Sequence, residues 1–115
     1  MSAATAGRAR EHRISKLMQA NGWLQVMRAA GSKGPADLAM LHPFLGLAWV
    51  QVGTAKSKTL SPLDRDRLVS IAEQTHALAL LATSGPGIPT RFWKVTRDTA
   101  SHWTEFPIAT DEAAA

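Results

Sequence analysis

Apolar and polar positions change period several times along the chain, and each change marks an element. In residues 7–21, Ile14, Leu17 and Met18 recur at helical spacing with Arg10, Arg13 and Lys16 between them. A helix is expected there, closed by Asn21-Gly22 because glycine accepts the left-handed conformation at a helix end. Residues 23–29 read as a strand, with Arg28 on the face of Leu24 and Val26 and its charged end snorkelling outward. Residues 31–36 carry turn chemistry. Two further strands are expected over 37–41 and 45–52, joined through His42-Pro43-Phe44, and a polar loop over 53–59. Ser61-Pro62-Leu63-Asp64 is a helix start: serine at the cap, proline at the first position and an acid three residues on. Leu68, Ile71, Ala72 and Thr75 continue one face of that helix. The apolar run 76–82, bounded by Ser84-Gly85-Pro86-Gly87, is a strand, and 91–95 and 102–106 are candidate closing strands. Residues 1–6 read as a frayed terminus and those from 109 as an unstructured tail.

This order, α-β-β-β-α-β-(β), gives an α/β fold: a mixed central sheet flanked by helices. A length of 115 residues suits one domain, with an ordered core over about 7–108. A hydrophobic fraction of 45% and a charged fraction of 19% are ordinary for a globular chain. No apolar run reaches the length of a membrane span, and no apolar segment follows the basic residues of the N-terminus as a secretory signal would require. Without cysteine there is neither a disulfide framework nor a thiolate zinc site, which fits a reducing cytoplasm.

The net charge of +4 is unevenly spread. Residues 1–58 hold eight basic side chains against Glu11 and Asp37, whereas the remainder holds five against seven acids. A basic half suits a polyanion laid across one face, and equally a solvated surface.

The run Arg28-Ala29-Ala30-Gly31-Ser32-Lys33-Gly34-Pro35-Ala36-Asp37-Leu38, followed by Trp49-Val50-Gln51-Val52-Gly53, resembles the PD-(D/E)XK nucleases. It is most similar to the archaeal-type Holliday junction resolvases and their phage and bacterial relatives. The resemblance covers residues 7–83 and includes the Leu60-Ser61-Pro62 helix start with Arg65 and Arg67. It implies a restriction-endonuclease-like fold and metal-dependent hydrolysis of branched DNA by a homodimer. In that pattern a helix glutamate, a strand aspartate and an E-x-K element converge on Mg²⁺ or Mn²⁺. Residues two apart on a strand share a face, which is why E-x-K has its spacing. The metal lowers the pKa of bound water, and a nearby cation steadies developing charge.

Carried onto this chain, the resemblance assigns Glu11, Asp37 and Gln51 to the metal. Arg8, Arg10, Arg13, Arg28, Ser32 and Lys33 become DNA contacts. Gln51 stands at the second acid and Gly53 at the lysine. Lys56 or Lys58, on the following loop, is then the candidate substitute for the missing cation. These departures leave an alternative open: a silent descendant that binds DNA or a protein partner in a structural or regulatory role.

Each residue also has a plainer reading. Glu11 can pair with a neighbouring arginine, Asp37 can close a turn, and Gln51 can be an ordinary strand residue. The four histidines show no ligand spacing, and the four tryptophans are packing residues, with Trp93 beside Arg91 and Lys94 as a candidate base-stacking site. Neither a phosphate-binding glycine loop nor a Ser-His-Asp arrangement is supported.

Overall fold

The computed structural model describes residues 3–29, 34–53, 58–85 and 87–108. Helix α1 (Ala3–Ala20) is followed by β1 (Leu24–Arg28), β2 (Leu38–His42) and β3 (Gly46–Val52). Helix α2 (Pro62–Gln74), β4 (Leu78–Gly85), β5 (Ile88–Lys94), a short 3-10 turn (Ala100–His102) and β6 (Thr104–Glu105) complete the order. Among the described residues the strands form one six-stranded sheet in chain order, β1 to β6. The β3–β4 pair is parallel, bridged by α2, and the other pairs are antiparallel.

The sequence expectations hold for the α/β class and the element order, and shift at several boundaries. Helix α1 starts at Ala3, so part of the segment read as frayed is helical; alanine has the highest helix propensity, which favours this extension. Strand β4 runs on to Gly85, which pairs with Ile88, so β4 and β5 form a hairpin and Ser84-Gly85 is strand, not boundary. The tail from 109 lies outside the described residues.

Two apolar layers sandwich the sheet. Ile14 and Met18 of α1 pack on Leu38, Met40, Ala48, Val50 and Leu80. On the opposite face Leu68, Val69 and Ala72 of α2 pack on Ala79 and Leu81. Ser61 caps α2 by accepting from the Asp64 N–H at 3.1 Å. At the end of α1, Gly22 has φ +92°, and a Cβ there would meet His42 Nε2 at 3.1 Å. His42 is buried, and its Nδ1 accepts the N–H groups of Phe44 and Leu45 at 3.1 and 3.2 Å. It thus closes the β2–β3 turn, a packing role.

A bulge overturns one expectation about β1. Leu24 pairs with Leu41 and Gln25 with Met40, but the register then shifts, so that Met27 pairs with Ala39 and Arg28 with Leu38. The extra residue, Val26, moves Arg28 to the face opposite Leu24, the face that α1 covers. Gln25 shares that face and accepts a hydrogen bond from Ser15 of α1.

Leu80, fully buried on the central parallel strand, and Leu63, exposed on α2, give a direct contrast. Leu80→Ala is expected to lower the unfolding free energy by about 2–5 kcal/mol. Leu63→Ala should stay within about 0.5 kcal/mol of the parent in urea titrations. Comparable losses at the two positions would contradict the packing described.

Candidate nucleic-acid interface and carboxylate site

Asp37 precedes β2 and ties three strands together. Its N–H donates to the Val50 carbonyl at 3.0 Å, and its carbonyl accepts the Ala29 N–H at 2.9 Å. Its carboxylate Oδ2 accepts the Val52 N–H at 2.8 Å. The side chain therefore replaces a main-chain carbonyl where the β2–β3 ladder ends. Leu38 pairs with Val50, the last pair of that ladder, and the Asp37 N–H turns onto Val50 instead of continuing the register to Gln51. Gln51 pairs with Leu81 of β4, whose side chain lies on the face that α2 covers.

The Asp37 carboxyl is pushed above the ordinary aspartate range. Burial is the main cause; the Val52 N–H works against it, and the negative charges of Glu11 and Asp64 add to it. Glu11, on α1, is thus close enough to be felt electrostatically. Its Oε1 lies 3.3 Å from Arg28 Nε, so its arginine partner comes from β1 and not from the neighbouring residues of its own helix. Asp64 went unnoticed in the sequence as part of the site, because its capping position explained it locally. Proximity of the α2 N-terminus to β2 is a tertiary fact.

Lys58 is held elsewhere. Its Nζ donates to the Trp103 carbonyl at 2.9 Å and sits 4.5 Å from the centroid of the Trp93 ring. Trp93 pairs with Leu81, which pairs with Gln51. The ring is therefore two strands from Gln51, or about 10 Å at ordinary strand spacing. In this arrangement Lys58 does not stand beside Asp37. One face of the Trp93 ring thus carries Lys58, and its Nε1 donates to Thr83 at 3.0 Å. Lys94, one residue on, projects from the other face of the strand. Ser32, Lys33 and Lys56 lie outside the described residues.

The α1 cations divide between two clefts. Arg8 and His12, one helical turn apart, line one with Gln25 and Arg28. Arg10 and Arg13 line another, of about 580 Å³, with Ser84, Gly85 and Thr90 of the β4–β5 hairpin. The first adjoins Glu11 through its ion pair with Arg28. Cations and hydroxyls in such grooves suit phosphate oxygens.

Comparison with solved structures identifies this architecture. The chain is similar to Hjc of Archaeoglobus fulgidus, a Holliday junction resolvase from an archaeal hyperthermophile, with a TM-score of 0.63 and 24% identity. The fold is resolvase-like. The likeness covers 74% of this chain and 72% of Hjc. No family model and no curated protein matches the chain. No helix among the described residues is long and apolar enough to cross a membrane.

Carboxylates whose folded pKa is raised favour the protonated protein, so their contribution to stability is complete below the unfolded pKa and falls as pH rises through the folded one. Asp37→Asn keeps an oxygen for the Val52 N–H and removes the charge. Its melting temperature should exceed the parent's at pH 7, and the gap should close below about pH 4. A variant that melts lower than the parent at pH 7 would contradict the burial argument.

Proposed function

We propose that the chain binds branched DNA, four-way junctions foremost, as a homodimer with Glu11, Asp37 and Gln51 near the strand being held. The observation that carries this reading is the resolvase-like fold, on which the Asp37 carboxylate ends the β2–β3 ladder at the Val52 N–H while arginines of α1 line two surface clefts. A two-fold dimer would offer two equivalent sites to the two-fold symmetric junction. Arg8, Arg10, Arg13 and Arg28 would contact phosphates, and binding would weaken steeply with salt as counterions are released. A reducing cytoplasm is the setting this reading assumes.

The donor chemistry suits Mg²⁺ or Mn²⁺. Two carboxylates and an amide are hard oxygen ligands, and hard cations accept such a set with waters completing the shell. Asp37 is half-buried and feels the negative charges of Glu11 and Asp64, an arrangement that a divalent cation would relieve. Among the described residues no three His, Cys, Asp or Glu side chains cluster as a metal site, so on this reading Gln51 would have to supply a further oxygen. When bound, the ion would activate water for phosphodiester hydrolysis. Asp37 and Gln51 orient oxygen donors, and Arg28 balances the charge of Glu11.

A second reading, binding without cutting, draws support from two observations. Lys58 is engaged at Trp103 and Trp93, and Gly53 has no side chain to replace it. A gel assay on labelled four-way junction, flap and duplex, with and without Mn²⁺, separates the two. Junction binding is expected in both. Metal-dependent nicking that disappears in Asp37→Asn supports the enzyme. An inert parent awakened by Gln51→Glu with Gly53→Lys supports the silent binder. Failure to bind any branched DNA at low salt would overturn both.

Arg10→Ala with Arg13→Ala should weaken junction binding about tenfold or more at moderate salt and flatten its salt dependence, as read by titration at several salt concentrations. An unchanged slope would remove these arginines from the interface.

A further inference from the structure

The chain passes out of its described part on the α1 side. The Phe106 N–H donates to the Phe92 carbonyl at 2.7 Å, and the Ile108 carbonyl accepts the Trp23 Nε1–H at 2.7 Å. Phe106 and Ile108 pack on the same apolar cluster as Met18, Trp23 and Phe92, which anchors Ile108 beside the C-terminal end of α1. The cleft of Arg10 and Arg13 opens between α1 and the β4–β5 hairpin. Thr90, in its wall, is two residues back from Phe92, about 7 Å along β5.

We propose that the acidic pair Asp111-Glu112, beyond Ile108, seats in this cleft and must leave before a phosphate can enter. The contact itself needs no DNA, whereas the competition rests on the proposed DNA binding. Reach argues for this occupant. Three or four extended residues span about 10–14 Å, more than the step from Phe92 to Thr90. Arg10 and Arg13 stand about 4.5 Å apart along the axis of α1, a spacing that two successive acids can serve.

Charge argues for it too. Residues 109–115 hold Asp111 and Glu112, no basic side chain, and alanine at the four positions 109 and 113–115. The cleft offers two arginines to the acids, and Leu17 and Ile88, each 38% exposed, to the small methyl groups. The ion pairs among the described residues engage Arg28 and Arg97, and none engages Arg10 or Arg13. A tether of a few residues gives the acids an effective concentration in the millimolar range, so weak ion pairs suffice to populate the contact.

The chain has no cysteine, so a single spin label at Ala113→Cys can report the contact by amide broadening in the isotope-labelled full chain. At low salt, without DNA, the label should broaden Ser84, Ile88 and Thr90 strongly. Asp111→Asn with Glu112→Gln in the labelled chain should reduce that broadening severalfold, as should about 0.5 M salt. Equal broadening with the acidic and the neutral segment overturns the proposal. So does a cleft whose amides respond only to added inorganic phosphate. Titration with labelled four-way junction tests the competition. The neutral segment should tighten binding about threefold to tenfold at low salt, and the gain should vanish in Arg10→Ala with Arg13→Ala. An unchanged affinity, or the same gain without the two arginines, overturns the competition. A segment that contacts the cleft in a chain that binds no junction removes the DNA reading and leaves the contact in place.

Discussion

The hydrogen bond from the Val52 N–H to the Asp37 carboxylate organises one end of the sheet. It ends the β2–β3 ladder on a side chain, so the strands separate just where the carboxylate sits. It also fixes one carboxylate oxygen in the plane of the sheet and leaves the other outside this bond. The cost is electrostatic: the group is held away from water with Glu11 and Asp64 nearby, and its charged form is disfavoured. A residue chosen for stability alone would not be an ionisable acid there.

The β1 bulge makes the surroundings of that acid possible. Without Val26 as an extra residue, strand alternation would place Arg28 on the face of Leu24, away from α1. With it, Arg28 turns towards Glu11 and the two form an ion pair across the helix–strand boundary. The same shift leaves Leu24 and Met27 together on the uncovered face. One local irregularity thus sorts charge to the α1 side and apolar surface to the α2 side.

Much of this was legible in the sequence because it depends on local patterns. The serine cap and proline of α2, the strand alternation of 45–52 and the Asn21-Gly22 stop all act within a few residues. The position of Asp37 just ahead of a strand was legible as well, though its bonds to Val50 and Val52 across the ladder were not. What escaped was set by tertiary contacts. The face of Arg28 depended on a bulge that alternation does not announce. The capture of Lys58 by Trp93 and the Trp103 carbonyl joins residues far apart in the chain. Asp64 near Asp37 depends on where the crossover helix begins, which no period in the chain encodes.

The two departures at 51 and 53 are best understood together. Residues two apart on a strand project from one face, so an acid at 51 and a lysine at 53 would be near neighbours of opposite charge. Gln51 alone would leave a lysine without its partner; Gly53 alone would leave three acids crowding one strand end. Losing both removes one negative and one positive charge, and the local balance stays as it was. The remaining charges are then Glu11, paired with Arg28, and Asp37, which keeps its hydrogen bond to Val52. On the proposed reading, the formal charge near the sheet end is then unchanged while no side chain at 53 is left to steady a reacting phosphate. A site of that kind would hold a phosphate backbone more readily than break it.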